Sequence, residues 1–158
     1  MALLLDTVDA YSMTYDIRWA DLDANGHVNY SAYIDAAADL RYRFFSERGF
    51  SPDGFLELGI GAVYSSIAAN FLREVRVGES ISITYALTGL SPKGVRWKVH
   101  HDILKSTGKK AAEVDLEGVI FDLNTRRPVA PTPDLFAVLD QIPRASTFEI
   151  LSERRPMG

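Results

Sequence analysis

One long helical stretch stands alone in a chain whose other regular segments read mostly as strands, and that narrows the fold. From about Ser31 to Arg48 the side chains Tyr30, Tyr33, Ile34, Ala37, Leu40, Phe44 and Phe45 recur at helical spacing, with Arg41 among them. Gly49 suits a left-handed residue just past a helix end, and Arg41, Arg43 and Arg48 suit the negative end of the helix dipole. The middle of the stretch, Ala36-Ala37-Ala38, is small enough for a sheet to approach the helix axis closely.

Around this helix the period changes to two. Ser12 to Trp19 alternates, with Met13, Tyr15, Ile17 and Trp19 on the face expected to be buried. Ala62 to Val75 is apolar on both faces and reads as a strand in the middle of a sheet. Three further alternating runs follow, centred on Ile81–Leu87, Val95–Ile103 and Ala112–Ile120, with turns at Ser91-Pro92-Lys93-Gly94 and Ser106-Thr107-Gly108-Lys109. Ser51-Pro52-Asp53 and Thr132-Pro133-Asp134 each place a capping hydroxyl before a first-turn proline, so each starts a short helix. The order is strand, long helix, then four strands, which is an α+β chain with one antiparallel sheet burying one helix. A chain of 158 residues is read as a single domain over 1–158, with a loose polar tail from about 144.

Composition excludes several chemistries. With no cysteine there is no disulfide, thiolate nucleophile or Cys-ligated metal. A net charge of −4 argues against a nucleic-acid partner. Leu3, Leu4 and Leu5 follow no basic region and are too few for a signal peptide or a membrane span, so a cytoplasmic protein without membrane insertion is expected. His100 and His101 are neighbours on a strand and point to opposite faces, so no metal is expected there. The basic side chains of the middle hairpin, such as Lys98, Lys105 and Lys110, read as a solvated face.

The chemistry concentrates in the loop before the helix. Trp19-Ala20-Asp21-Leu22-Asp23-Ala24-Asn25-Gly26-His27-Val28-Asn29 packs carboxylates, carboxamides and a histidine into one short connection. Taken singly, Asp21, Asn25 and Asn29 are ordinary caps and turn formers, and a lone loop histidine is ordinarily a brace. Their joint spacing, Asp-x-Asp-x-Asn-x-His-Val-Asn, resembles the loop of the hotdog-fold acyl thioesterases. It is similar to the 4-hydroxybenzoyl-CoA thioesterase and YbgC-like branch in its aromatic residue and paired Asp residues. It is similar to the plant-type acyl-ACP thioesterases in the full run.

The resemblance implies a hotdog domain: an antiparallel sheet of about five strands wrapped around a long central helix, with a short C-terminal helix. It implies a thioester hydrolase acting on an acyl-CoA or acyl-ACP without a cofactor. Asp23 would be nucleophile or general base, Asn25 would orient water or the oxyanion, and His27 would be a base or brace. Phe71-Leu72-Arg73-Glu74 is similar to the family's strand-end acid and makes Glu74 a further candidate, although a charge at a strand end is equally ordinary. Plant-type enzymes carry two such units in one chain and this chain carries one, which implies a homodimer or homotetramer. In such an assembly a partner's backbone N–H, assigned to Gly61, would polarise the carbonyl, and Tyr33 would help line the acyl site. The alternative is a hotdog module that binds acyl-CoA without turning it over.

Overall fold

The computed structural model describes residues 11–154. The apolar run Leu3–Leu5 lies outside them. Among the described residues no helix is long and apolar enough to cross a membrane.

Strand β1 covers Tyr11–Asp16, and a 3-10 turn covers Trp19–Asp21. Helix α1 follows at Tyr30–Ser46, α2 at Pro52–Leu58 and β2 at Ile60–Phe71. The long strands β3 (Ser80–Leu90), β4 (Arg96–Lys105) and β5 (Lys110–Asp122) come next. The short β6 (Arg127–Pro128), α3 (Pro133–Leu139) and β7 (Arg144–Ile150) complete the elements of the described residues. The main sheet runs β1-β3-β4-β5-β2 with antiparallel neighbours; β6 pairs with β5, and β7 pairs in parallel with β3. This is the hotdog arrangement of a long helix against a curled antiparallel sheet.

Local sequence explains the helix boundaries. Asn29 caps α1 by accepting from Ser31 N, and Gly49 takes a φ of 87° three residues past its end. Ser51 and Thr132 cap α2 and α3, each with proline in the first turn. Ala36, Ala37, Leu40 and Phe44 are buried against the sheet. Phe44 meets Tyr85 of β3 edge to face at 5.3 Å, which locks the helix to the sheet centre.

Four expectations need correction. Lys110 does not lie on a solvated face: it is buried, because its Nζ pairs with the buried Asp102 at 2.6 Å. The strand after α1 is not central. β2 ends the sheet, and Tyr64, Ile67 and Phe71 are about half exposed. A run apolar on both faces also fits an edge awaiting cover, and sequence alone does not distinguish the two. Trp19 leaves the buried face of β1 because the strand stops at Asp16 and the chain coils, leaving Trp19 82% exposed. Residues 144–150 are not a loose tail. They form β7 beside the half of β3 that β1 leaves uncovered, with Leu87 N donating to Pro143 O at 2.8 Å. Among the described residues β6 and β7 bring the sheet to seven strands.

Candidate active site

The loop before α1 folds into a closed turn. Leu22 and Val28 pair across it, and Asp23 N donates to His27 O at 2.7 Å. Asp23 Oδ1 accepts from Asn25 N at 2.8 Å and from His27 N at 3.1 Å. Gly26, at φ 75°, lets the chain reverse where a side chain would strain it. Asp23 therefore shapes the turn that presents it, and Asp23 and Asn25 both face solvent. Asp21 has a bracing role. It is buried, and Arg18 grips it with its backbone N–H and guanidinium, holding the carboxyl below its usual range through those hydrogen bonds.

A second segment crosses under the turn. Val28 N donates to Val75 O at 2.8 Å, and His27 pairs with Arg76. That pairing carries Glu74 to the histidine: His27 Nε2 lies 2.8 Å from Glu74 Oε2. Arg76 holds the other oxygen, Glu74 Oε1, through Nη2 at 2.8 Å and Nε at 3.2 Å. A carboxylate accepts, so His27 Nε2 carries a hydrogen, and Nδ1 is the nitrogen that exchanges a proton with a substrate.

The remaining sequence candidates sit apart from one another. Tyr33 is buried beneath the turn, its ring 5.7 Å from Phe71. Burial, with the charges of Glu79 and Asp23, pushes its hydroxyl pKa up. Gly61 lies at the start of β2, while Phe71 and then Glu74 lie at its far end. At ~3.3 Å per residue that strand separates them by roughly 30 Å, so one chain does not bring Gly61 to Asp23.

Gly61 instead borders a cavity of about 460 Å³ between α1, α2 and the concave face of the sheet. Its wall is apolar, with Phe45, Phe55, Leu87 and Leu135 among its residues. Among the described residues Arg41 is the one charged side chain in that wall. The sequence carried a signal for its burial, because Arg41 shares a helix face with Ala37 and Phe44.

The two neighbouring histidines of β4 do point to opposite sides. His101 faces the helix, with Nδ1 2.8 Å from Thr84 O and Nε2 3.0 Å from Arg41 Nη1. His100 faces the other side, 2.7 Å from Asp115 and 3.0 Å from Asp102. His100, Asp102 and Glu113 lie close enough to share an ion. Lys110 Nζ already fills that role, 2.6 Å from Asp102 and 3.0 Å from Glu113. The cluster reads as an ion-pair network.

Comparison with known proteins agrees with this architecture. Residues 17–139 match the model of the thioesterase-like superfamily, and the chain belongs to that family. A Staphylococcus aureus protein solved in complex with CoA superposes with a TM-score of 0.77 at 18% identity, over 83% of this chain and 82% of that one. A 1,4-dihydroxy-2-naphthoyl-CoA thioesterase from Synechocystis gives 0.75 at 13% identity, over 83% and 96%. A DHNA-CoA thioesterase from Staphylococcus aureus gives 0.74 at 18% identity, over 84% and 89%. No curated protein matches the sequence.

Proposed function

We propose that the chain is an acyl-CoA or acyl-ACP thioesterase whose chemistry is carried by the Asp23 turn. The observation that carries this reading is the convergence of Asp23, Asn25 and His27 on one solvent-facing turn, with Glu74 fixing the His27 ring. In the reaction a water oxygen bonds to the thioester carbonyl carbon, the C–S bond breaks, and acid and thiol leave. His27 Nδ1 takes the proton of that water and later returns it to the thiolate sulfur. The turn's own hydrogen bonds fall on Asp23 Oδ1, which leaves Oδ2 either to help His27 polarise that water or to attack the carbonyl carbon itself, in which case the C–S bond breaks to give a mixed anhydride that the water then hydrolyses. Asn25 makes no hydrogen bond through its side chain among the described residues, so its amide is available to the developing oxyanion.

The site is completed by a second copy of the chain. The exposed apolar edge of β2 supports this, since an open strand of that kind invites pairing. Antiparallel pairing of two β2 strands about Ser66 sets the partner's Gly61 end beside the Phe71–Glu74 end of this chain. The partner's cavity then opens next to the Asp23 turn and receives the acyl group.

The test is thiol release from short, long and aromatic acyl-CoAs, with wild type beside Asp23→Asn. Turnover that falls at least about 100-fold in a folded Asp23→Asn variant is the expected result. Full activity in that variant would remove Asp23 from the reaction. Binding without turnover across the panel, with carrier-protein thioesters included, would favour the acyl-CoA-binding module.

A further inference from the structure

The cavity wall contains an unbalanced set of hydrogen-bond donors. Arg41 is 8% exposed and its Nε has no partner; Trp97 is 5% exposed and its Nε1 has none either. Both line the same cavity. They are held together by the Tyr64 ring, which lies 5.4 Å from the Arg41 guanidinium and 5.4 Å from the Trp97 ring. Tyr85, the fourth member, lies behind them and stacks on His101 at 5.1 Å.

Among the described residues the one hydrogen-bond partner of Arg41 is His101, and it cannot neutralise the charge. His101 Nδ1 donates to the Thr84 carbonyl, so Nε2 accepts from Arg41 as a neutral imidazole. Burial, then the adjacent Arg41 charge, lowers the His101 pKa to about 3, which keeps that imidazole neutral. Burial likewise pushes the Tyr85 hydroxyl up, so it too remains uncharged. Among the described residues no carboxylate forms an ion pair with Arg41. A guanidinium in an apolar chamber is costly unless an anion meets it. The wall offers surplus donors and one uncompensated positive charge. Its complement is an anionic acceptor on an apolar body.

The geometry points to a carboxylate-binding site at Arg41: the cavity holds an apolar chain or ring whose carboxylate docks on the guanidinium. Two molecules bring that chemistry. One is a thioester whose acyl group ends in a second carboxylate; the other is the free acid that hydrolysis releases. Both identities rest on the thioesterase reading, but the site does not, and binding can be measured without turnover.

The experiment is calorimetric titration of the full chain with octanoate and with octanol, supported by the fluorescence of Trp97 in a Trp19→Phe variant. Octanoate is expected to bind about 10- to 100-fold more tightly than octanol, the range of a charge-assisted hydrogen bond. Arg41→Met should abolish that preference, and Arg41→Lys should retain part of it. Equal affinity of the wild type for acid and alcohol would overturn the proposal, whatever the variants do. Kinetics then assign the source. A kcat/KM preference for suberoyl-CoA over octanoyl-CoA that disappears in Arg41→Met places the carboxylate at the far end of the acyl group. No such preference, with competitive inhibition by octanoate lost in Arg41→Met, places it on the released acid. If no thioester is hydrolysed but octanoate still binds through Arg41, the thioesterase reading fails and the carboxylate site stands.

Discussion

Two adjacent histidines should give this protein a stability maximum near pH 6.5. His100 sits between Asp102 and Asp115; its hydrogen bonds to them outweigh its burial and raise its pKa from 6.5 to about 9. In the window between those values the folded state binds a proton that the unfolded state has released. Stability from His100 is therefore fully present below pH 6.5 and is lost as pH rises through about 9. A difference from 6.5 to about 9 corresponds to roughly 3 kcal/mol at full effect. His101 works in the opposite direction. Burial and Arg41 lower it to about 3, so only the unfolded state gains its proton as pH falls below 6.5, and stability declines there. The assay is urea denaturation at steps from pH 5 to 9.5, with wild type beside His100→Gln. The absence of cysteine leaves that window largely to histidine. Wild type should lose roughly 3 kcal/mol between pH 6.5 and 9, and the variant should lose much less. A flat wild-type profile, or an equal fall in both proteins, would refute the reasoning.

Other consequences are equally direct. Glu74→Gln removes the charge that orients His27, and kcat for thioester hydrolysis should fall about 100-fold with KM little changed; an unchanged kcat would leave Glu74 as a surface charge. Ile67→Lys places a charge in the middle of the open β2 edge; if two β2 edges pair as proposed, light scattering should find a wild-type dimer and a monomeric variant. Equal dimer masses would move the interface elsewhere, and a monomeric wild type would refute the second copy. Gly118→Ala drives a Cβ into the Val63 carbonyl oxygen and to 2.5 Å from the Trp97 ring, so the midpoint of chemical denaturation should drop by the equivalent of about 1–3 kcal/mol.

Much of the candidate site's geometry was legible because it is local. Asp23, Asn25 and His27 occupy one turn, and the hydrogen bonds that shape it span two to four residues. Helix α1 was legible for the same reason: its apolar period, its Asn29 cap and Gly49 are all near in sequence. The pairing of His27 with Glu74 spans the whole of α1, α2 and β2, and only the bridge between His27 and Arg76 creates it. Trp19 misled because alternation does not record where a strand stops.

The sequence by itself determined the type of most elements, the single long helix and the residues that the Asp23 turn gathers, since these depend on side-chain period and on neighbours a few residues apart. Tertiary structure decided that β2 is an edge, that residues 144–150 join the sheet, and that Arg41 faces a cavity with no carboxylate partner among the described residues. Period shows that a face is apolar; only the folded chain shows what lies against that face, and therefore which groups it leaves uncovered.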